Sequence, residues 1–388
     1  MKKELWLPEN ECTGCGACEN ACPKDVLKIE LCTGGHLLPV AYEGCIGCNR
    51  CVKACEARLA LPSRGTERPA VYAAWSNDAD LRYASTSGGL FSELALPVIA
   101  DGGAVYGAAY GEKCHVEHAK AETPRGLNRL RQSKYVQSEI GLSFRSVRDD
   151  LKAGRKVLFC GAPCQVAGLR AFLGKDYEGL YLIDFVCLGV NSPLAYRSWL
   201  DEVEISHGSE VSRVWFKYKE GGWRTSPRRT RIDFDDGSYT VLDGDDNKYM
   251  CGYLESKLFF RPSCADCRFR GFPRQGDVTV ADFWGLDPQL DDDKGTSMVL
   301  VSTEKGHSLF DAASTCVTWT ERSFNEIFAG NVCIGGNVSL NSNSEEFLSS
   351  LPKMGFEAAL AKYGRKSLVQ RFSDKAKAVV RKLMKYGK

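Results

Sequence analysis

The sequence predicts a mixed α+β/α/β fold in two parts: a small α+β module first, then an α/β body with an antiparallel insertion and a C-terminal basic helix. Three observations carry that prediction. One cysteine run occurs twice near the N-terminus, apolar strands alternate with helical patterns over most of the remaining chain, and the last residues are basic and amphipathic. At 388 residues the chain exceeds what one hydrophobic core comfortably supports, so division into a module and a body is expected.

The module is defined by its cysteines. Cys12-x2-Cys15-x2-Cys18-x3-Cys22 recurs 33 residues later as Cys45-x2-Cys48-x2-Cys51-x3-Cys55. Zinc sites usually show paired ligands across a longer gap, whereas three cysteines at short intervals followed by a fourth is the layout of 4Fe-4S ligation. In bacterial-type two-cluster ferredoxins the fourth cysteine of each run ligates the other cluster. That pattern assigns Cys12, Cys15, Cys18 and Cys55 to one [4Fe-4S] cluster, and Cys45, Cys48, Cys51 and Cys22 to a second. Pro23 follows Cys22, but Glu56 stands where the second run would repeat that proline. Between the runs, Val26–Glu30 and Leu37–Val40 flank Thr33-Gly34-Gly35 as a short hairpin. The whole reads as a 2[4Fe-4S] ferredoxin domain over residues 1–62.

Residues 63–69 have a linker's polar, Pro- and Gly-containing composition. The body is expected over 70–345, with strands near Val71–Trp75, Gly103–Ala109, Val157–Cys160, Leu180–Val186 and Val278–Ala281. Val211–Tyr218, Thr230–Phe234 and Ser238–Leu242 predict antiparallel strands, the last two joined through Asp235-Asp236-Gly237. Residues 346–388 form a helical tail, in which 361–388 carry ten Lys or Arg against the single acid Asp374. Leu368, Phe372, Val379, Val380, Leu383 and Met384 recur there at helical spacing. A helix packed on the body with a solvated basic face is the plainer reading; docking of an acidic partner and contact with a membrane surface are the others. No nucleic-acid motif is present. The first residues lack an apolar signal segment and no long apolar span occurs, so a cytoplasmic protein is expected, in which reduced thiols favour metal ligation over disulfides.

A second set of cysteines lies where strands run out. Cys160-Gly161-Ala162-Pro163-Cys164 follows the strand ending at Phe159, Cys187 follows Tyr181–Val186, and Cys264-Ala265-Asp266-Cys267 supplies a C-x2-C pair. Open α/β sheets bind ligands along that carboxyl edge, so four thiols meeting at a third 4Fe-4S cluster is one reading. Packed core cysteines plus a zinc-binding pair is the other. Cys114, Cys251, Cys316 and Cys333 are isolated and read as buried packing residues. Asp291-Asp292-Asp293 reads as a solvated loop in preference to a divalent-metal site, and the five histidines show no metal spacing.

Ser85-Thr86-Ser87-Gly88-Gly89 precedes the apolar run Leu90–Ile99, which sets hydroxyls and flexible backbone at a helix N-terminus, as a phosphate site or as an ordinary N-cap. Ser133-Lys134-Tyr135-Val136-Gln137 offers a cation and an aromatic ring. Asp282-Phe283-Trp284-Gly285 ends a strand, with Asp282 either a cofactor or substrate contact or a capping acid. No G-x-G-x-x-G fingerprint follows a strand, which argues against a Rossmann-type dinucleotide site.

These motifs, together with Cys187-Leu188-Gly189-Val190-Asn191-Ser192-Pro193, Arg261–Cys267 and Gly276–Gly285, occur in an order that resembles the coenzyme F420 hydrogenase/dehydrogenase beta-subunit family. The resemblance implies an FAD-binding body with its own [4Fe-4S] cluster. It makes Cys164, Cys187, Cys264 and Cys267 the ligands of that third cluster and Cys160 a neighbour. Ser85, Thr86, Ser87, Gly88, Gly89, Ser133, Lys134, Tyr135, Gln137 and Asp282 are then the expected flavin-side residues. The expected function is an iron-sulfur flavoprotein oxidoreductase passing electrons between its clusters and FAD. Its two-electron end would exchange hydride with a small-molecule substrate or a hydride-carrying coenzyme such as coenzyme F420, and its one-electron partner would be a ferredoxin or another redox protein. The alternative is an electron-transfer subunit serving a separate catalytic protein; a cluster-stabilised binding protein without turnover is a third class. The sequence names neither the substrate nor the direction of flow.

Overall fold

The computed structural model describes residues 7–59, 61, 64–331 and 333–364. The amphipathic positions from Leu368 to Met384, and with them the expected basic helix, lie outside the described residues.

Helix Ala17–Ala21, strands β1 (Leu27–Leu31) and β2 (Leu37–Ala41), and the short helix Arg50–Lys53 make up the N-terminal module. The strands pair antiparallel from Leu27↔Ala41 to Leu31↔Leu37, the expected hairpin. Gly35 takes φ 78° at its turn, and a Cβ there would stand 2.9 Å from Ser192 Oγ. The glycine therefore serves two purposes, a left-handed turn and close approach to the body.

The body's strands are β3 (Ala70–Ser76), β4 (Ala104–Tyr110), β5 (Val116–Ala121), β6 (Val157–Gly161), β7 (Leu180–Phe185), β8 (Val211–Phe216), β9 (Thr230–Phe234), β10 (Tyr239–Leu242), β11 (Val278–Asp282), β12 (Ser297–Val301) and β13 (Val317–Arg322). Eight of them form one mixed sheet in the order β13-β3-β12-β11-β7-β6-β4-β5. β4, β6, β7 and β11 are mutually parallel, so Gly161, Phe185 and Asp282 all end on one edge. Such strands are buried on both faces and read as near-continuous apolar runs. Leu158 and Ile183 pack under helices Leu90–Ala100 and Glu304–Ala313, while Val157, Phe159 and Leu182 pack under helices Ser143–Lys152 and Pro163–Leu173.

The predicted insertion is the three-stranded antiparallel sheet β10-β9-β8. It closes over an aromatic core in which Trp199 stacks on Tyr249 at 4.8 Å. Helices Ser344–Met354 and Phe356–Tyr363 add Phe347 and Phe356 to that core.

Module and body are joined by polar contacts. Arg145 donates to the carbonyls of Asn20 and Cys22 and pairs with Asp25. Arg261, 1% exposed, donates to the carbonyls of Cys12 and Leu37. In the connector, Arg64 is pinned by Asp277, with Nε and Nη2 donating at 3.0 and 3.1 Å to the two carboxylate oxygens. Among the described residues no helix is long and apolar enough to cross a membrane.

Candidate cluster sites and cofactor cavity

The first cysteine set gathers around helix Ala17–Ala21. Cys12, Cys15, Cys18 and Cys55 are buried and line one small cavity. Burial pushes the thiols of Cys12, Cys15 and Cys18 up; Glu56 adds to the effect for Cys15, and neighbouring thiolates add to it for both Cys15 and Cys18. Four such thiolates are stable only against a compensating cation. No group of three or more Cys, His, Asp or Glu among the described residues converges as single-ion ligands do. A cubane presents a separate iron to each cysteine, so its ligands stand farther apart than those of one ion. The donor set fits a cluster better than a single ion.

Cys51 faces Cys22 and Cys45, which brings the second run to the last cysteine of the first. Cys45 and Cys48 are exposed on the loop before helix Arg50–Lys53. Cys18 also faces Cys51, so the two sets adjoin.

The third set forms at the carboxyl edge of the sheet. Cys164 starts helix Pro163–Leu173 after β6, and Cys187 follows β7. Cys264 and Cys267 come from the turn that begins at Pro262, just after the buried Leu258, Phe259 and Phe260. Cys164 lies close enough to Cys187, Cys267 and Cys264 for thiolate charges to repel, and burial is the larger force raising its pKa. The Val190 amide donates to Cys264 Sγ at 3.4 Å, the kind of contact that tunes the potential of a cluster where one is bound. Cys160 instead offers its carbonyl to His118 Nε2.

The first set packs against the helix that carries Cys164. Gly168, one helical turn beyond Cys164, leaves room for Cys15, whose Sγ would be 2.8 Å from a Cβ there. Glu56 occupies the missing-proline position, 3% exposed, with Oε1 accepting from Thr13. Its Oε2 lies 3.4 Å from Cys15 Sγ and 3.7 Å from Cys55 Sγ, and its charge also reaches Cys164.

Beside the third set opens a cavity of about 550 Å³, within the size range of cofactor sites. Of the ten residues expected on the flavin side, Ser85, Thr86, Ser87, Gly89, Ser133, Lys134, Tyr135, Gln137 and Asp282 line it, as do Cys164 and Cys187. Gly88 does not line it and is a packing residue: a Cβ there would meet the Ala74 carbonyl at 2.4 Å. The hydroxyls do not cap the following helix. Ser85 bonds the Leu81 carbonyl, Ser87 the Thr296 carbonyl, and Thr86 accepts from the Ser133 amide. The helix starts from Gly89 at φ 92° without a side-chain cap, which leaves its first amides to an anion.

Lys134 is less available than its sequence context suggests. Its ammonium donates to the carbonyls of Arg129 and Arg131, and burial lowers its pKa to about 7. Gln137 turns toward the module, bonding the Gly14 carbonyl and Arg261. Asp282 forms an ion pair with Lys217, whose ammonium lies 4.7 Å from the Trp284 ring centroid. No motif signalled Lys217, nor Arg131, which lines the cavity with Nε bonded to Ser92. His118 also lines the cavity, stacked on Phe159 and bonded to Ser138.

Of the four isolated cysteines expected to be buried, Cys114 is, whereas Cys251 and Cys333 are half-buried. Cys316 is exposed, because it ends the turn Ser314–Cys316 ahead of the edge strand β13. Cys333 lines the cavity and faces Cys187. The aspartates 291–293 are engaged by arginines: Asp292 accepts from both terminal nitrogens of Arg82, and Asp291 from Arg224.

No curated protein matches the chain. Among solved structures, a chain of the xenon-derivatised F420-reducing [NiFe] hydrogenase complex from Methanosarcina barkeri aligns over 77% of this chain and 91% of its own, at 15% identity and a TM-score of 0.46. Residues 7–28 match the 4Fe-4S binding domain, and residues 154–326 match the family described as the C terminus of the coenzyme F420 hydrogenase/dehydrogenase beta subunit. The chain is thus similar to a 4Fe-4S binding domain over residues 7–28 and to the C-terminal region of the coenzyme F420 hydrogenase/dehydrogenase beta subunit over residues 154–326.

Proposed function

We propose that the chain is an iron-sulfur flavoprotein oxidoreductase in which three [4Fe-4S] clusters connect a buried FAD site to the surface. The observation that carries this reading is a single cavity bounded on one side by the uncapped helix N-terminus at Gly89 and on another by Cys164 and Cys187. A flavin held there would supply the exchange between one-electron and two-electron carriers.

The chain's own residues supply binding and orientation. The amides after Gly89, with Arg131 nearby, favour a diphosphate. Lys219 donates to the carbonyls of Arg82 and Ser87, and Trp223 Nε1 to that of Thr86, so the Ser85–Gly89 loop is braced from behind. Tyr135, Tyr253 and Trp284 offer aromatic surface, and the Lys217–Asp282 pair presents charge beside it. Cys164, Cys187, Cys264 and Cys267 would hold the cluster next to this site. Cys12, Cys15, Cys18 and Cys55 would hold the next, and Cys22, Cys45, Cys48 and Cys51 the outermost.

Exposure of Cys45 and Cys48 favours a second reading in part, an electron-transfer subunit whose organic chemistry occurs on another polypeptide. Anaerobic purification with iron, sulfide and flavin analysis tests the proposal. About twelve irons and one FAD per chain are expected; about eight irons without flavin would remove the body from the electron path. Turnover of an organic substrate by the isolated chain would separate the enzyme from the subunit.

A further inference from the structure

The three cysteine sets differ sharply in access. Cys12, Cys15, Cys18, Cys55 and Cys264 are buried, whereas Cys45 and Cys48 are exposed. Every residue from Tyr42 to Arg50 is exposed, and Ile46, between the two cysteines, is 60% exposed. A protein that exchanges electrons one at a time approaches most closely at this loop.

Three exposed cations border the loop. Lys24 lies two residues beyond Cys22, while Arg50 and Lys53 flank Cys51, and all three are exposed. None of the three makes a salt bridge to a described residue, whereas the nearby Asp25 is paired with Arg145. Glu43 lies within the loop, and Glu30 accepts from the Tyr42 hydroxyl at its start. An apolar centre surrounded by unpaired cations suits a transient interface, in which rim charges act mainly on encounter rate.

We infer that the Cys45–Lys53 face, with Lys24, is the docking site for an acidic one-electron carrier protein of the ferredoxin class. This deepens the proposed function and rests on its assignment of a cluster to Cys22, Cys45, Cys48 and Cys51. The acidic carrier meets Lys24, Arg50 and Lys53, Ile46 enters the contact, and the electron crosses at Cys45 or Cys48. One electron lost by the carrier is gained by the cluster, with no bond made or broken.

Stopped-flow mixing of the anaerobic full chain with a reduced, acidic bacterial two-cluster ferredoxin tests the site. The variants are Lys24→Glu/Arg50→Glu/Lys53→Glu and the neutral Lys24→Gln/Arg50→Gln/Lys53→Gln, each first checked for iron content. The second-order rate should fall with added salt, and the charge-reversed variant should lose at least about tenfold, with the neutral variant between. Reduction by dithionite should be unchanged. Equal ferredoxin rates in all three proteins at low salt, with full iron content, would overturn the docking site. So would binding of the wild-type chain to vesicles one-third phosphatidylglycerol that the reversed variant loses while its ferredoxin rate is unchanged. Iron below two clusters in the wild-type module would instead refute the cluster assignment, and normal exchange without a flavin would leave the docking site standing while the flavin reading fails.

Discussion

Replacing Arg261 with methionine should loosen the N-terminal module from the body while leaving every cysteine in place. The guanidinium is 1% exposed, and its terminal nitrogens donate to the Cys12 carbonyl at 3.2 Å, the Leu37 carbonyl at 2.7 Å and Gln137 Oε1. Methionine has similar reach and no donor, so three buried acceptors lose their partner. Bonds to charged donors contribute about 1.5–3 kcal/mol each. The three share one group and are not additive, and removing the guanidinium also relieves its own desolvation cost. A net loss of about 3 kcal/mol is expected, roughly a hundredfold in the local opening equilibrium. Hydrogen exchange of the anaerobic protein, read by mass spectrometry, would show that loss in the segments spanning residues 12–22 and 27–41, with β6 and β7 unchanged. Protection within about threefold of wild type in those segments would refute the role given to Arg261.

Three other outcomes are expected. Cys264→Ser should remove about four irons per chain and leave those of the module, with unchanged iron counting against the third site. Arg64→Ala strands Asp277, which is 0% exposed and among the described residues would keep the Leu182 amide and the Thr303 hydroxyl as donors. The cost should be about 3–5 kcal/mol in denaturant unfolding, and a change under about 1 kcal/mol would show that the connector is not anchored there. His118 is held neutral, its pKa lowered by burial to about 4. Because the unfolded histidine binds its proton first, near its ordinary value of 6.5, the stability associated with neutral His118 is present above that pH and is lost as pH falls toward 4. The span is about 3 kcal/mol. His118→Gln should flatten that part of the stability-pH curve, and an identical slope in wild type and variant would contradict it.

Local signals in the chain announced both cysteine runs, the Thr33-Gly34-Gly35 hairpin, the strands ending before Cys160 and Cys187, and the antiparallel insertion. Each of these rests on short-range spacing or periodicity. The ends of the expected strands also place Cys164, Cys187 and Asp282 toward one edge from sequence alone. What sequence could not supply was long-range partnership. Lys217 lies on the insertion and meets Asp282 only because β8 folds across the edge of β11. Gln137 stands in a motif that suggested a cofactor contact, yet its amide serves the module through Gly14 and Arg261. Glu56 was visible as a departure from the expected proline, but its position between Cys15, Cys55 and Cys164 depends on how module and body dock. Cys333 looked isolated because its neighbour, Cys187, is far away along the chain.

In the proposed relay, Cys164, Cys187, Cys264 and Cys267 hold a cluster beside an FAD in the same cavity. Diffraction from anaerobic crystals of the full chain, measured at the iron absorption edge, would decide it. Three separate iron peaks are expected, one of them enclosed by those four cysteines, with flavin density between that peak and the amides after Gly89. Two iron peaks confined to residues 12–55, with no flavin density in the cavity, would contradict it.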